Sequence, residues 1–448
     1  MLLAGLATDG GLYVPERFPE LSAARLRSLL GRPYAEIVAE VVWPFVEGSL
    51  SRDVLDRCVG RAYAGFAHAA VAPLKQLGSS DWLLELFHGP TLAFKDFALQ
   101  LLGLLFEEVL GRGRQTITIV GATSGDTGSA AIHAVAGRER MRIVVLHPRG
   151  RVSAVQRRQM TTVMDANVHN VAVEGSFDDC QALVKALFND LAFREEAALA
   201  AVNSINWARI MAQIAYYVSA AVSLGAPERK IAFSVPTGNF GDVYAGYAAS
   251  RMGLPVERLI VATNRNDILA RFLASGVYRS GEVFPTISPS MDIQVASNFE
   301  RLLLDLLGGD GRAVRDWMAA FAKAGEAAVA DASLASARSL FAGHMVDEAA
   351  TSATMAAVLK DAGELVDPHT AVGLAAAAAC RGDPSVPMVT LSTAHPAKFP
   401  DAVAAATGRR PELPPFLADL HDRPERCEAL PNDVGALRDH IRKKVLSA

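Results

Sequence analysis

Five short apolar runs, separated by helical segments, constrain the fold of this chain more than any other feature. Each run is rich in β-branched residues and does not show the apolar/polar alternation of a half-exposed strand. Apolar strands that alternate with helices predict an α/β fold with parallel sheets covered on both faces. The runs are TITIVG (116–121), RIVVLH (142–147), VHNVAV (168–173), IAFSV (231–235) and LIVAT (259–263).

The rest of the chain is predicted to complete two lobes around these strands. Residues 305–361 have a mostly helical pattern, and VTLS (389–392) reads as a late strand. We expect two α/β lobes with a ligand-binding cleft between them, because open parallel sheets bind ligands beyond the carboxyl ends of their strands. The predicted divisions are an N-terminal, mostly helical segment (1–80), a first α/β lobe (81–228) and a second α/β lobe (229–448).

Composition excludes several classes of partner. The net charge is only −4, so no electrostatic footprint for nucleic acid or an anionic membrane is visible. The N-terminus lacks the basic and apolar regions of a signal peptide, and no apolar run reaches membrane-spanning length. The cysteines form no CxxC or Cys/His cluster, which predicts reduced thiols, no metal site and a cytoplasmic location. They are Cys58, Cys180, Cys380 and Cys427.

Two glycine-containing loops each follow an apolar strand and open a predicted helix. They are GATSGDTG (121–128), before a helix from about Gly128, and PTGNFGD (236–242). Small residues let backbone N–H groups approach an anion, and a helix N-terminus adds a favourable dipole. Neither loop is a P-loop, a dinucleotide fingerprint or a nucleophile elbow. Glycine-rich turns also occur in α/β folds simply to reverse the chain, so one loop alone does not decide the function.

A single lysine, Lys95, stands at a predicted helix start within ELFHGPTLAFKDFALQ (85–100). It can be interpreted as a surface lysine whose ammonium reaches water. It can also be a lysine whose pKa is lowered by burial and by the helix dipole, so that it acts as a nucleophile or base. A lysine, one anion site for a cofactor phosphate and another for a substrate carboxylate are what a pyridoxal-phosphate enzyme needs.

Eight segments, in order over nearly the whole chain, resemble the threonine synthase family of fold type II pyridoxal-phosphate enzymes. The resemblance implies two parallel-sheet lobes of the tryptophan synthase β-like kind, with the active site in the cleft between them. Family members usually carry an STRG-like motif ahead of the first segment, whereas this sequence begins almost at that segment. The segments are GLATDGGLYVPE (5–16), ELFHGPTLAFKDFA (85–98), GATSGDTGSAA (121–131), NSINWARIMAQ (203–213), VPTGNFGD (235–242), PSMDIQVASNFERLL (289–303), DPHTAVG (367–373) and LSTAHPAKFP (391–400).

The resemblance implies roles for three groups of residues. Lys95 would form the Schiff base with pyridoxal 5'-phosphate and move protons, and the neutral hydroxyl of Thr393 would face the pyridine nitrogen. The GNFG loop would hold the cofactor phosphate: Gly238, Asn239, Phe240 and Gly241. The TSGDT stretch would grip the substrate α-carboxylate: Thr123, Ser124, Gly125, Asp126 and Thr127. Asp126 stands where many relatives with other reactions carry asparagine.

The implied reaction converts O-phospho-L-homoserine and water to L-threonine and phosphate, the last step of threonine biosynthesis, in a monomer or homodimer. Candidates for the substrate phosphate are Arg157, Arg209 and Lys398, each of which could instead be an ordinary surface or helix-end cation. Two alternatives remain open. One is a phospho-lyase or dehydratase of the same fold that releases a 2-oxo acid. The other is a non-catalytic homologue that binds a ligand or partner, although the retention of Lys95 and both loops argues against it.

Two further groups of polar residues lie in the resembling segments. His369, with Asp367 and Thr370, is predicted to cap the helix that follows. A second group could reach the cleft or form an intrahelical or inter-lobe ion pair: Asn298, Glu300 and Arg301.

Overall fold

Two mainly parallel sheets, each covered by helices, organise the chain. The structure, a computed structural model, describes residues 2, 5–7, 9–113, 115–200 and 205–446. Thr8, Asn203 and Ser204, from two of the resembling segments, lie outside the described residues. The helices are α1 Ala23–Leu29, α2 Tyr34–Val46, α3 Arg52–Tyr63, α4 Lys95–Gly111, α5 Asp126–Val135, α6 Ala154–Thr161, α7 Phe177–Asn189, α8 Leu191–Glu196, α9 Trp207–Ser223, α10 Gly241–Arg251, α11 Ile268–Ser275, α12 Phe299–Leu306, α13 Gly311–Ala324, α14 Asp331–Leu340, α15 Glu348–Ala362, α16 Pro368–Ala379, α17 Pro400–Thr407 and α18 Val434–His440, with 3₁₀ turns at Pro289–Met291, Pro396–Lys398 and Pro415–Leu417 and a π-helical turn at Ile441–Leu446.

The strands form one sheet in each half of the fold. They are β1 Leu74–Gln76, β2 Asp81–Glu85, β3 Ile117–Ala122, β4 Met141–Pro148, β5 Val168–Glu174, β6 Leu199–Ala200, β7 Ile231–Pro236, β8 Val256–Thr263, β9 Val277–Arg279, β10 Glu326–Ala328, β11 Phe341–Met345, β12 Met388–Ser392 and β13 Glu428–Pro431. Over the described residues, six strands pair in the order β1-β2-β12-β7-β8-β11 and five in the order β13-β5-β4-β3-β6. Neighbours run parallel except β1 and β2, and β9 pairs with β10 in a separate antiparallel ribbon.

The predicted strands are apolar because helices cover both faces of each sheet. In β4, Ile143 and Val145 pack into the main core with helices α4, α5 and α9. The alternate residues Val144 and Leu146 pack on the opposite face, against α7, α8 and α18. Burying one such side chain contributes about 1.5–3 kcal/mol. The predicted α/β class with parallel sheets is confirmed.

The N-terminal helices α1–α3 complete the main core. Contacts join α3 to α4 and both α1 and α2 to α9. Helix α4 is buried along most of its length and also packs on α5 and α9. The start of α4, which carries Lys95, is therefore held from several sides. Among the helices that the structure describes, none has the length and apolar character needed to cross a bilayer.

Strand pairing does not follow the predicted division into lobes, which stays a prediction about domains. Strand β2 begins the predicted first lobe (81–228), yet it pairs with β12 in the sheet of the second. Strand β13 belongs to the predicted second lobe (229–448) but pairs with β5 in the sheet of the first. Both strands are short, and β13 is an exposed edge strand. Neither shows the long apolar pattern from which the other strands were predicted.

Two local details add to the predictions. The stretch 305–361 is mostly helical, as predicted, and also contains the short strands β10 and β11. The sequence of β11, FAGHM, has no β-branched residue, so its pairing with β8 is set by tertiary packing and not by propensity. Helix α5 begins at Asp126, two residues before the predicted start, because the turn is made by Gly125.

Candidate active site

Lys95 is the first residue of α4, beyond the carboxyl end of β2. Its side chain is 13% exposed, and Nζ lies 3.6 Å from Oδ2 of Asp126 and 5.2 Å from the centre of the Phe94 ring. Burial lowers the pKa of Lys95; Asp126 opposes this shift, whereas Arg209 and Lys398 add to it. The interpretation of Lys95 as a surface lysine is therefore wrong: burial and two neighbouring cations favour its neutral amine, whereas Asp126 favours its ammonium form.

The loops after β2 and β12 hold Lys95 and Thr393 near one another. The two strands are parallel neighbours, so their carboxyl ends lie at the same edge of the sheet. The N–H of Phe94 donates to the carbonyl of Thr393 at 2.9 Å, and Ala93 forms an antiparallel bridge with Ala394. Lys95 and the buried Thr393 are therefore fixed relative to each other by backbone contacts.

The TSGDT stretch makes a tight turn between β3 and α5. Oγ1 of Thr123 accepts the N–H groups of Gly125 at 2.9 Å and Gly128 at 2.8 Å. Gly125 has φ +139°, where a side chain would be strained, and a Cβ there would lie 2.4 Å from Cδ of Gln156. Ser124 and Thr127 are half-buried at this turn. The glycine therefore lets Gln156 pack directly on the loop.

Asp126 connects most of the polar groups around Lys95. Its Oδ1 lies 2.9 Å from Nζ of Lys398 and accepts from Nε2 of Gln156 at 2.9 Å. Its Oδ2 accepts from Oγ of Ser290 at 2.8 Å and faces Lys95. Burial alone would raise the pKa of Asp126, but the ammonium groups of Lys398 and Lys95 hold that pKa well below its ordinary value. The ionised side chain thus faces two lysines, and its role in binding the substrate α-carboxylate stays a prediction.

Lys398 is fully buried, and its ammonium group is paired with Asp126. Besides Asp126, its Nζ donates to the carbonyl of Thr91 at 2.6 Å and to Oε1 of Gln159 at 3.0 Å. Three acceptors use the three N–H bonds of an ammonium. Arg157, another predicted candidate for the substrate phosphate, is paired with Glu425. Arg209, the third, is buried in α9, and burial lowers its pKa to about 10.

The GNFG loop follows β7 and opens α10. Phe240 adopts a left-handed conformation with φ +65° and packs against the rings of Phe299 and Phe341. Its side chain makes no capping bond, so the first N–H groups of α10 remain available to an anion. The carbonyl of Asn239 accepts the N–H of Asn298 at 3.0 Å. A Cβ on Gly238 would lie 3.0 Å from the carbonyl oxygen of Ser290, so the loop packs closely on the segment 290–298.

The same segment connects this loop to Asp126. The N–H of Ser290 donates to Nε2 of His369 at 3.2 Å, and the ring of His369 contacts Asp367 through Nδ1 at 2.6 Å. Because Nε2 accepts, the neutral ring carries its proton on Nδ1, an assignment made from these partners. Asp367 also accepts the N–H groups of His369 and Thr370, which confirms the predicted helix cap. Ser290 is thereby held where its hydroxyl reaches Asp126.

The residues present fit a bound pyridoxal phosphate. Asn298 is fully buried, and among the described residues its Nδ2 has no hydrogen-bond partner. This amide lies 3.2 Å from the position of a Cβ on Gly241, the first residue of α10. A helix start without a side-chain cap and an orphaned donor suit a phosphate, and a buried lysine of lowered pKa suits an aldehyde.

Sequence reasoning missed two residues of this site, Gln156 and Ser290. Ser290 lies in the resembling segment PSMDIQVASNFERLL, so it belongs to the family pattern, but the sequence assigned it no role. Gln156 lies in α6, in a stretch that carries no motif. Its place beside Asp126 follows only from the packing of α6 on α5. Lys398 was identified, but with a different expected partner.

Comparisons with known proteins show which family this chain is similar to. Family models match residues 1–63 (threonine synthase N terminus), 68–365 (pyridoxal-phosphate dependent enzyme) and 370–441 (threonine synthase, C-terminal). The chain is 55% identical over 442 residues to the threonine synthase of Pseudomonas aeruginosa, covering 98% of this chain and 94% of that protein.

Two solved structures are similar over nearly the full length. One is the PLP-bound threonine synthase of Brucella melitensis, with 51% identity, a TM-score of 0.97 and coverage of 99% of this chain and 96% of that one. The other is threonine synthase from yeast, with 39% identity, a TM-score of 0.94 and coverage of 99% and 95%.

Proposed function

The chain belongs to the threonine synthase family of pyridoxal-phosphate-dependent enzymes, and from this premise we propose that it converts O-phospho-L-homoserine and water to L-threonine and phosphate. Full-length similarity to threonine synthases supports the choice of reaction. The observation that carries the chemistry is Lys95, a buried amine beside the ionised Asp126 at the edge where strand ends meet. This makes the protein a carbon–oxygen lyase acting on phosphate.

Each predicted group has a role in this proposal. When bound, pyridoxal phosphate supplies an electron sink that stabilises negative charge on Cα of an amino acid. Lys95 holds the cofactor and, as a neutral amine, takes the Cα proton and later returns it. The GNFG loop and the start of α10 hold the phosphate, and the Thr393 hydroxyl is the partner of the pyridine nitrogen. Asp126 stabilises the ammonium form of Lys95 after the proton is taken.

The substrate is held by groups at the turn before α5. Backbone N–H groups and the hydroxyls of Ser124 and Thr127 bind the α-carboxylate in this proposal. The charge of Asp126 does not repel that carboxylate, because Lys398 neutralises it at 2.9 Å. Arg209 stays the predicted cation for the substrate phosphate, since its charge already influences Lys95.

The test is a product assay with O-phospho-L-homoserine, in which threonine and phosphate are both measured. We expect the two products in equal amounts, and none from Lys95→Ala. Lys185→Ala, at an exposed lysine of α7, is the matched control and is expected to keep full activity. Phosphate and 2-oxobutyrate without threonine would identify the phospho-lyase alternative. A protein that makes no product and gains no absorbance band near the visible edge with added cofactor would be a non-catalytic homologue.

We further propose that the enzyme works in the cytoplasm as a monomer or homodimer. All four cysteines are free in the structure, as expected for thiols in a reducing compartment. Light scattering of the purified protein distinguishes one copy from two, and a larger assembly would contradict the proposal.

A further inference from the structure

We propose that Asn298 binds the phosphate of the cofactor through its Nδ2 group, and that Arg301 is the positioning residue that orients this amide. The inference rests on the proposed function, because it takes pyridoxal phosphate as the ligand. It extends the phosphate site from the GNFG loop to the SNFER stretch of the chain, residues 297–301.

Arg301 fixes which way the amide of Asn298 points. Nη1 of Arg301 donates to Oδ1 of Asn298. A guanidinium has donors only, so the amide oxygen must face Arg301 and the NH₂ group must face away. The usual ambiguity between the oxygen and nitrogen of an asparagine is thereby resolved by chemistry.

Arg301 is itself held firmly. Its Nε donates to the carbonyl of Tyr13 at 3.0 Å, and Nη2 donates to the carbonyl of Ile205 at 2.6 Å. The guanidinium lies 5.8 Å from the centre of the Trp207 ring, and the residue is almost fully buried. Because all three nitrogens of the guanidinium are hydrogen-bonded, it cannot rotate to offer Asn298 a different partner. The N-terminal GGLYVPE stretch thus contributes to the orientation of the amide through Tyr13.

The NH₂ group of Asn298 lies beside Gly241, the first residue of α10. Asn298 is fully buried, its N–H is bound to Asn239 of the GNFG loop, and Nδ2 lies 3.2 Å from the position of a Cβ on Gly241. Within the described part of the chain, Nδ2 has no protein acceptor. A buried amide donor without an acceptor is unfavourable, so an acceptor belongs at this place.

The ligand chemistry follows from two independent features. The first turn of α10 offers backbone N–H groups and the positive end of the helix dipole, with no capping side chain to occupy them. The orphaned amide of Asn298 adds a further donor at the same helix start. Several donors therefore meet at this helix start, which suits an anion with several acceptor oxygens, and a phosphate has them. The Asp242 carboxylate of the same turn accepts from the hydroxyls of Tyr216 and Tyr217 through Oδ1.

The experiment compares a ligand that carries the phosphate with one that lacks it. The full-length chain, freed of cofactor, is titrated with pyridoxal 5'-phosphate and with pyridoxal, and binding is followed by the absorbance band near the visible edge. Asn298→Asp keeps the oxygen that faces Arg301 and replaces only the donor NH₂ by an acceptor. We expect its affinity for pyridoxal 5'-phosphate to fall by about tenfold or more, with no change for pyridoxal.

Glu300→Gln is the matched control. Glu300 lies in the same helical turn and accepts the N–H of Leu12 at 3.3 Å, so it also holds the N-terminal stretch but does not contact the amide. We expect it to bind both ligands like the wild type. Arg301→Lys removes the planar guanidinium. It is expected to show the same selective loss of affinity for pyridoxal 5'-phosphate as Asn298→Asp, but a smaller one.

Several outcomes would overturn the inference. If Asn298→Asp binds both ligands like the wild type, or loses affinity equally for both, Asn298 does not contact the phosphate. If circular dichroism shows that Asn298→Asp is unfolded, Asn298→Ser is used instead, because it removes the amide donor and keeps an oxygen. Wild-type affinity for both ligands, or an equal loss for both, would again show that Asn298 does not contact the phosphate. A wild type that binds neither ligand overturns the proposed function as well, whereas an unaffected variant overturns this inference alone.

Discussion

At the scale of single residues, Asp126 determines the electrostatics around Lys95. It forms a buried ion pair with Lys398 and lies 3.6 Å from Lys95, so one carboxylate faces two lysine side chains. A buried pair of this kind contributes little net stability when intact. Removing one partner is strongly destabilising, because an uncompensated charge stays in the interior.

We therefore expect Asp126→Asn to lower the free energy of unfolding by about 3–5 kcal/mol, since Lys398 is left without a counter-charge. Lys398→Met should have a similar cost. In the double variant no unpaired Lys398 charge remains, so its cost should be clearly smaller than the sum of the two. Urea unfolding of the four proteins measures this coupling. Costs that simply add would show that the two side chains do not act as a pair.

A second residue with an unusual environment is Asp242, the second residue of α10. The hydroxyls of Tyr216 and Tyr217 donate to its Oδ1, while among the described residues its Oδ2 has no partner. Burial raises the pKa of Asp242 to about 6, and the tyrosine hydrogen bonds only partly oppose this. The unfolded chain titrates at about 3.9. The folded form therefore holds its proton more tightly than the unfolded one.

This shift gives a pH dependence of defined sign. A raised carboxyl pKa contributes stability that is fully present below about pH 4 and is lost as the pH rises through about 6. Asp242→Asn keeps an oxygen for the tyrosines but does not titrate. In cofactor-free protein, the variant should gain about 2 kcal/mol relative to the wild type between about pH 4 and about pH 8. Urea unfolding at the two pH values tests this, and a constant difference would contradict it.

At the scale of elements, the passage from β3 to α5 contains two glycines, and the structure requires only one of them. Gly125, in the loop, has φ +139° and lies against Gln156, which donates to Asp126. Gly121 is the second-last residue of β3, and a Cβ there would meet no atom within 4 Å. The two positions therefore form a matched pair for substitution by alanine.

Gly125→Ala is expected to cost about 2–3 kcal/mol of unfolding free energy, from backbone strain and from displacement of Gln156. Gly121→Ala should change stability by no more than about 0.5 kcal/mol. Thermal and urea unfolding of both variants provide the comparison. Equal costs would mean that the strain at Gly125 is not what holds the loop.

The elements that could be predicted from the sequence are those whose signal is local. The runs 142–147 and 231–235 became β4 and β7 because their helix-covered faces require continuous apolar residues. Strand β11 has no such signal, and its place beside β8 depends on contacts with residues about eighty positions away. Strands β2 and β13 were missed for the same reason.

The candidate site divides in the same way. Lys95 and the two loops were predictable because each combines a helix start with small or apolar neighbours, and the family resemblance added their roles. The contacts of Asp126 with Gln156 and Ser290 were not predictable, because a hydrogen bond between distant segments has no sequence pattern. Lys398 could be found as a cation, but only the fold shows that its partner is Asp126.

At the scale of the whole molecule, the two sheets are joined by segments that cross between the predicted lobes. Strand β2 joins the six-stranded sheet from the first half of the chain, and β13 joins the five-stranded sheet from the second. Side-chain contacts cross as well: Ser290 donates to Asp126, and Ser153 donates to the carbonyl of Lys398 at 3.3 Å. The halves of the chain are therefore interdependent, although each contains most of one sheet.

This arrangement predicts how the chain responds when it is divided at the proposed boundary after residue 228. The fragment 1–228 loses the parallel partner of β2 and the cover that α18 gives to the five-stranded sheet. In the fragment 229–448, the apolar residues Leu437, Ile441 and Val445 have no sheet to pack on.

We expect neither fragment to show near-ultraviolet circular dichroism or cooperative unfolding alone. When the two fragments are co-expressed, both signals and the cofactor absorbance band should return. Packing of strands and helices, and not the linker, supplies most of the contacts between the fragments. Independent cooperative unfolding of either fragment would instead show that the predicted boundary separates true domains and that the crossing strands contribute little.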